Sequence, residues 1–115
     1  DGALNSGGAT VFPEQIEAAL AGVPGVEALL VVGVQDTEWG QKLVGLLKPA
    51  ADHDASAVVA QLKQRLQQHP PAQRVGSWLL CPRLGTNDQG KWERRHWAQV
   101  AAEQLSQPLS TVQPS

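Results

Sequence analysis

Apolar positions follow two different spacings along the chain, and one of them predicts strands. Residues 26–34 are nearly all apolar and rich in valine, which is typical of a strand covered on both faces. Residues 43–47 predict a second short strand, and the length of the connection favours an antiparallel neighbour. Residues 77–81 predict a third strand, and Pro82 indicates that this strand ends there or lies at an edge.

Helical spacing begins after the first dozen residues. A first helix is predicted to start at Pro13, which fits the first helical position, and to stop at Pro24–Gly25. Glu14 and Glu17 are expected to complement the positive start of this helix. A buried face at helical spacing is predicted from Ile16, Ala19, Leu20 and Val23.

Two more helices complete the pattern. One is predicted to follow a cap at Asp54 or Ser56, and another follows the polar loop before Trp97. Their buried faces are predicted from Val58, Val59, Leu62, Leu66, Trp97, Val100, Ala101 and Leu105. The predicted fold class is therefore α+β, a small three-stranded sheet flanked by helices.

The two ends of the chain lack this periodicity. Residues 1–10 predict a glycine-rich loop or hairpin, in which Gly7–Gly8 either permits close approach to a ligand or closes a plain turn. Residues 106–115 are polar with two prolines and predict a disordered tail, so residues 1–105 form the expected domain. A start inside a glycine-rich loop, with no methionine in the sequence, predicts a piece of a longer polypeptide.

Length and composition limit the possible functions. At 115 residues the chain predicts one domain, which is small for a complete two-substrate enzyme. A hydrophobic share of 42% and a charged share of 17% are typical of a soluble globular domain. The net charge of -2 gives no electrostatic reason to expect nucleic acid. The longest apolar run, residues 28–34, is too short for a membrane span.

Cysteine and histidine usage offers no metal site. A single cysteine, Cys81, excludes an internal disulfide and indicates a reducing, cytoplasmic environment. Cys81 itself is expected to be a small buried hydrophobic residue rather than a nucleophile. Asp52–His53–Asp54 has ligand-type side chains, but three adjacent side chains cannot all face one ion, so no metal site is predicted.

The most chemically suggestive stretch is residues 85–95. Thr86 to Gly90 are residues that tolerate tight turns, so Lys91 is predicted at the end of an exposed loop. A lysine suits a site that neutralises carboxylate or phosphate charge, and the alternative is an ordinary solvated lysine. Trp92 is expected to pack its ring onto the domain, with stacking on a ligand base as the alternative.

Three motifs together resemble the C-terminal domain of the acyl-adenylate-forming enzymes, which include acyl-CoA synthetases, peptide-synthetase adenylation domains and luciferases. The resemblance runs from residue 1 to about residue 105, and the order and spacing of the motifs make it specific. The motifs are Asp1 with Ser6-Gly7-Gly8 and Val11-x-Pro13-x-x-Ile16-Glu17; Pro24-Gly25-Val26 with Val31-Val32-Gly33-Val34-x-Asp36 and Gly40; and Gly90-Lys91-x-x-Arg94.

The resemblance implies a function in two steps. In this family a large N-terminal domain, outside this chain, binds ATP and magnesium, and the C-terminal domain supplies a lysine that bridges the substrate carboxylate and the nucleotide. The domain then rotates about a hinge residue and presents its glycine-rich loop, so that coenzyme A attacks the acyl-adenylate. The implied roles are catalysis for Lys91, the hinge for Asp1, coenzyme A binding for Ser6, Gly7 and Gly8, and loop support for Gly90 and Arg94. The implied partners are the N-terminal domain, a small carboxylic acid, ATP and coenzyme A.

Individual residues within the motifs indicate a subfamily. Asn5 stands where the family often has lysine, and Trp92 replaces the usual aliphatic residue. Residues 10–17, 78–82 and 90–94 resemble o-succinylbenzoate–CoA ligases of cyanobacterial type, which make an intermediate of menaquinone or phylloquinone. The alternatives are an adenylation subdomain that passes its acyl group to a carrier protein, and a binding module without catalysis.

Overall fold

A computed structural model describes residues 3–38 and 40–106. The elements, in chain order, are β1 (Leu4–Ser6), β2 (Ala9–Val11), α1 (Pro13–Ala19), β3 (Val26–Asp36), β4 (Gly40–Pro49), α2 (Ala55–Leu66), a short 3-10 turn (Pro71–Gln73), β5 (Ser77–Leu80) and α3 (Arg94–Leu105). The predicted α+β class is confirmed. The predicted hinge Asp1, and all of the predicted tail except Ser106, lie outside the described residues.

The sheet has β4 at its centre. β3 pairs antiparallel with β4 along nearly its whole length, from Val26↔Pro49 to Asp36↔Gly40, as the sequence predicted. β5 runs parallel to β4, and the crossover that a parallel pair needs is supplied by α2. The N-terminal hairpin of β1 and β2 joins the same sheet through the pair Ser6↔Gly40. The three predicted strands are therefore present, and the hairpin extends the sheet to five strands within the described residues.

The core consists of two layers, one on each face of the sheet. Side chains alternate along β3, so that Val31 packs with α1 and α2 while Leu30 and Val32 pack with α3. The first layer contains Val11, Ile16, Leu20, Val23, Val31, Leu43, Leu47, Val58, Leu62, Leu66 and Val75. The second contains Leu30, Val32, Val44, Leu46, Cys81, Leu84 and Ala101. The prediction of a strand covered on both faces is confirmed.

The first helix is shorter than predicted. It ends at Ala19 instead of continuing to Pro24–Gly25. Gly22 has a φ of 88°, which lies outside the helical region, so the chain turns while its apolar spacing continues. Val23, predicted on the helix face, is still only 5% exposed because the turn folds it back onto the core.

The other two helices begin near the predicted positions. Asp54 lies at the N-cap of α2, although its side chain makes no capping hydrogen bond. Trp97, Ala101 and Leu105 of α3 pack on the second core layer as expected. None of the helices in the described part of the chain has the length and apolar character needed to cross a membrane.

Candidate functional site

The loop before α3 is held in shape by one asparagine. The side-chain oxygen of Asn87 accepts the backbone N–H of Gln89 at 2.9 Å and that of Lys91 at 3.0 Å. The backbone of Asn87 closes the loop further, since its N–H donates to the Lys91 carbonyl at 2.9 Å and its carbonyl accepts the Gly90 N–H at 2.9 Å. Gly90 has a φ of 79°, a conformation that glycine adopts without strain. The loop is thus exposed yet has a defined conformation.

Lys91 and Trp92 face different surroundings. Lys91 is exposed, and within residues 3–38 and 40–106 its ammonium group has no hydrogen bond or ion pair. Trp92 is partly buried and packs against the second core layer, which confirms the predicted packing of its ring onto the domain. Within the described residues, a cation without a partner therefore lies on a loop whose next side chain packs against the core.

Arg94, the first residue of α3, connects three parts of the domain. Its Nη1 atom donates to Glu17 Oε2 at 2.8 Å and to the Val31 carbonyl at 2.8 Å. Glu17 Oε2 also accepts the Val31 N–H at 2.7 Å. Among the described residues β3 has β4 as its only neighbouring strand, so the Glu17–Arg94 pair satisfies the Val31 backbone groups on the open side of the sheet.

The glycine pair forms the tip of the β1–β2 hairpin. Ser6 pairs with Ala9, which leaves Gly7–Gly8 as a two-residue loop. Their φ angles of 58° and 83° are both positive, as a type I′ hairpin turn requires. Ser6 is buried at 6% exposure, whereas both glycines are exposed and nothing lies within 4 Å of a Cβ built on Gly8. The pair closes a turn and also leaves its backbone open to close approach.

The two loops are attached to different parts of the sheet. The hairpin pairs with β4 at Gly40, whereas Arg94 is bonded to Val31, whose partner on β4 is Gly45. At about 3.3 Å per residue these attachment points lie roughly 17 Å apart along β4. The described residues therefore present the Lys91 loop and the glycine hairpin as two separate elements.

The other candidate residues predicted from the sequence are Cys81 and the possible metal ligands. Cys81 is 4% exposed, and burial raises the pKa of its thiol, so it is the packed hydrophobic residue that the sequence predicted. No cluster of three or more histidine, cysteine or carboxylate side chains that could hold a metal lies within the described ranges.

Two residues that shape the site carry little sequence signal. Asn87 is recognisable only as an asparagine in a turn, a position where its side chain commonly bonds the backbone two residues on. Glu17 was expected to complement the start of α1, but it bonds to β3 and α3 instead. Nothing local reveals a contact between residues so far apart in sequence.

Solved structures share this arrangement. The chain is similar to the Brucella canis acyl-CoA synthetase, with a TM-score of 0.79 over 92% of this chain and 20% of that chain, at 20% identity. At this identity the likeness establishes the fold, which is that of the small domain of acyl-CoA synthetases.

Comparison of the sequence with protein families identifies the family. The family described as "AMP-binding enzyme C-terminal domain" matches residues 15–86. The chain belongs to this family of AMP-binding enzyme C-terminal domains. The matched residues begin after Gly8 and end before Lys91, so the match does not include the tips of the two loops.

Curated relatives are acyl-CoA ligases. The chain is 47% identical over 102 residues to a medium/long-chain-fatty-acid–CoA/3-oxocholest-4-en-26-oate–CoA ligase of Mycolicibacterium smegmatis, covering 88% of this chain and 18% of the relative. It is 35% identical over 88 residues to a feruloyl-CoA synthase of an Amycolatopsis species, covering 75% of this chain and 17% of the relative. The chain thus spans less than a fifth of the length of these relatives.

Proposed function

We propose that this chain is the part of an ATP-dependent acid–CoA ligase that supplies the adenylation cation, Lys91. The observation that carries the proposal is an exposed ammonium group on a loop fixed by Asn87 on one side and by the packed ring of Trp92 on the other. When a substrate carboxylate attacks the α-phosphate of ATP, two anionic groups approach each other. A lysine directed at both of them offsets their repulsion as the transition state forms.

The order of the loop supports this role. A charge that is already in place when the transition state forms requires no reorganisation at that moment, which is why preorganised charges are efficient. Lys91 has a long flexible side chain, but its backbone is fixed by a bond at its N–H and a bond at its carbonyl. Such a residue can reach a ligand on another domain while its starting point remains constant.

The glycine hairpin is proposed to serve the second step. The open space around Gly8 leaves the hairpin tip accessible to the thiol arm of coenzyme A. Ser6 is buried at the base of the tip and fixes the register of the hairpin against β4. Rotation about Asp1, which lies outside the described residues, is proposed to bring the hairpin rather than Lys91 to the reacting atoms.

The remaining partners are assigned to the rest of the enzyme. ATP and magnesium are proposed to be held mainly by the N-terminal domain, and this chain contributes Lys91 to the nucleotide and the acid. The proposed location is the cytoplasm. The acid is proposed at the level of a carboxylic acid; o-succinylbenzoate is the substrate that the sequence motifs suggest, while the relatives are named for feruloyl, 4-chlorobenzoate and fatty-acid substrates.

The test compares the full-length protein with the isolated chain. The full-length protein is incubated with ATP, magnesium and a panel containing o-succinylbenzoate, ferulate, 4-chlorobenzoate and fatty acids, and pyrophosphate release is measured with and without coenzyme A. We expect acid-dependent pyrophosphate release followed by acyl-CoA formation, and no activity from the isolated chain.

Three other results would each contradict a different part of the proposal. Transfer of the acyl group from the acyl-adenylate to a carrier protein, but not to coenzyme A, would show that the carrier protein is the acceptor. Failure of the full-length protein to release pyrophosphate with any acid would favour a binding module without catalysis. Adenylation by the isolated chain would contradict the assignment of ATP to the N-terminal domain.

A further inference from the structure

We propose that Glu17 is a positioning residue for Lys91 and that it acts through Arg94. The catalytic consequence rests on the function proposed above, whereas the effect on the loop can be measured independently of any reaction. The residue comes from α1, far from the Lys91 loop in sequence, and its contacts are with Arg94 and the backbone of Val31.

The path from Glu17 to Lys91 is short. Arg94 opens α3, and only Trp92 and Glu93 separate it from Lys91. The Trp97 N–H donates to the Glu93 carbonyl at 3.1 Å, so the hydrogen bonds of the first turn of α3 also hold Glu93, which is two residues from Lys91. Fixing Arg94 therefore fixes the C-terminal end of the loop, while Asn87 fixes the interior.

Arg94 depends on Glu17 for its place. The Arg94 side chain is 25% exposed and that of Glu17 is 20% exposed, so both charges are largely removed from water. Without the carboxylate, Arg94 would keep a half-buried charge with only the Val31 carbonyl as a partner, and the Val31 N–H would lose its acceptor. The guanidinium is then expected to turn towards solvent, which releases the start of α3.

The same contact joins the helix that follows the glycine hairpin to the helix that follows the Lys91 loop. α1 follows directly after the glycine hairpin, and Phe12 alone lies between β2 and α1. Glu17 on α1 holds Arg94, and Arg94 precedes the body of α3. The Glu17–Arg94 pair therefore sets the position of the Lys91 loop relative to the segment that carries the hairpin.

A purely structural role is the competing explanation, and matched variants separate the two. Glu14 lies on the same helix and is exposed, so Glu14→Ala is the control for Glu17→Ala. Arg95 follows Arg94 and is exposed, so Arg95→Ala is the control for Arg94→Ala. Glu17→Gln keeps an oxygen that can accept from Val31 and Arg94 but removes the charge, so it provides a conservative rescue.

The first measurement is hydrogen exchange by mass spectrometry on the full-length enzyme. In Glu17→Ala we expect faster exchange in residues 87–93 and at Val31, with Glu17→Gln intermediate and Glu14→Ala like the wild type. Exchange in β5 should not change. Unchanged exchange in residues 87–93 of Glu17→Ala would overturn the proposal, and so would a uniform increase across the domain.

The second measurement separates the two half-reactions. Glu17→Ala and Arg94→Ala are expected to slow adenylation on the order of a hundredfold, since small displacements of a reacting group have effects of that size. Transfer to coenzyme A from supplied acyl-adenylate should change less than about twofold, because that step does not use the Lys91 loop. Equal losses in both steps would identify Glu17 as a general stability residue and overturn its positioning role.

The experiments distinguish an error in the proposed function of Lys91 from an error in the positioning role of Glu17. If Lys91→Ala leaves adenylation unchanged, the catalytic role of Lys91 is wrong, whatever Glu17 does. Faster loop exchange in Glu17→Ala would in that case still support the positioning of the loop by Glu17.

Discussion

The Lys91 loop and the glycine hairpin are both exposed, but they are built in different ways. The Lys91 loop contains no regular secondary structure, and its shape comes from the side chain of Asn87, the packed ring of Trp92 and the Glu17–Arg94 pair that follows. The hairpin is formed by backbone pairing of two three-residue strands and meets the main sheet at Ser6↔Gly40. One loop depends on particular side chains, and the other depends on the absence of side chains at its tip.

This difference suits the chemistry proposed for each loop. A cation needs a fixed starting point, which side-chain hydrogen bonds and an aromatic ring packed against the core can provide. A thiol arm passing close to the backbone needs free space, which two glycines with positive φ provide. Substitutions in the two loops should therefore fail in different half-reactions, and the following variants test that expectation.

The largest effect is expected for Lys91→Ala in the full-length enzyme. Adenylation, followed by pyrophosphate release, should fall by about a hundredfold to a thousandfold, the usual loss for a well-placed transition-state charge. Arg83→Ala is a suitable control because Arg83 is another exposed cation in the segment between β5 and α3. An equal fall in the Arg83 variant would mean that general surface charge, not Lys91, is responsible.

Gly8→Val should give the opposite pattern. A β-branched side chain resists positive φ and crowds the thiol's approach, so transfer to coenzyme A should slow by about tenfold to a hundredfold while adenylation stays near normal. The measurement is acyl-CoA formation from preformed acyl-adenylate.

Gly22→Val is the matched control for backbone strain. Gly22 has a φ of 88°, close to the 83° of Gly8, and a Cβ at either position meets nothing within 4 Å. Both variants should lower the thermal midpoint to a similar extent, but only Gly8→Val should slow the thiol step. Equal activity losses in the two variants would mean that Gly8 only closes a turn and has no role in the thiol step.

A smaller effect is expected for Asn87→Ala. The loss of the oxygen that holds the Gln89 and Lys91 amides should loosen the loop and slow adenylation by about tenfold, with little change in the thermal midpoint because the loop is at the surface. Asp88→Ala is the control, since Asp88 is the exposed neighbour in the same loop. A drop in the midpoint with equal loss of both half-reactions would contradict a local role for Asn87.

The sequence predicted those parts of the molecule that depend on local spacing. β3 was readable because apolar residues occupy both of its faces, and the glycine hairpin because two adjacent glycines favour a tight turn. The end of α1 was mispredicted because Val23 remains buried although the helix has already ended at Ala19. Spacing alone cannot distinguish a helix from a turn that returns to the same core.

In the candidate site, too, the sequence predicted the local features but not the contacts between distant residues. The exposed position of Lys91 and the packing of Trp92 followed from turn-forming residues and from the size of an indole ring. The contact of Glu17 with Arg94 could not be predicted, because it depends on how α1 and α3 meet at the open edge of β3. Sequence distance conceals such contacts until the sheet order is known.

Lys91 and the glycine hairpin are proposed to serve different half-reactions, and a crossed measurement tests this separation most directly. Single-turnover rates of adenylation and of acyl transfer to coenzyme A are determined for Lys91→Ala and Gly8→Val in the full-length enzyme. We expect Lys91→Ala to lose adenylation and keep transfer, and Gly8→Val to keep adenylation and lose transfer. If each variant lost both rates in the same proportion, the separation of roles between the two loops would be wrong.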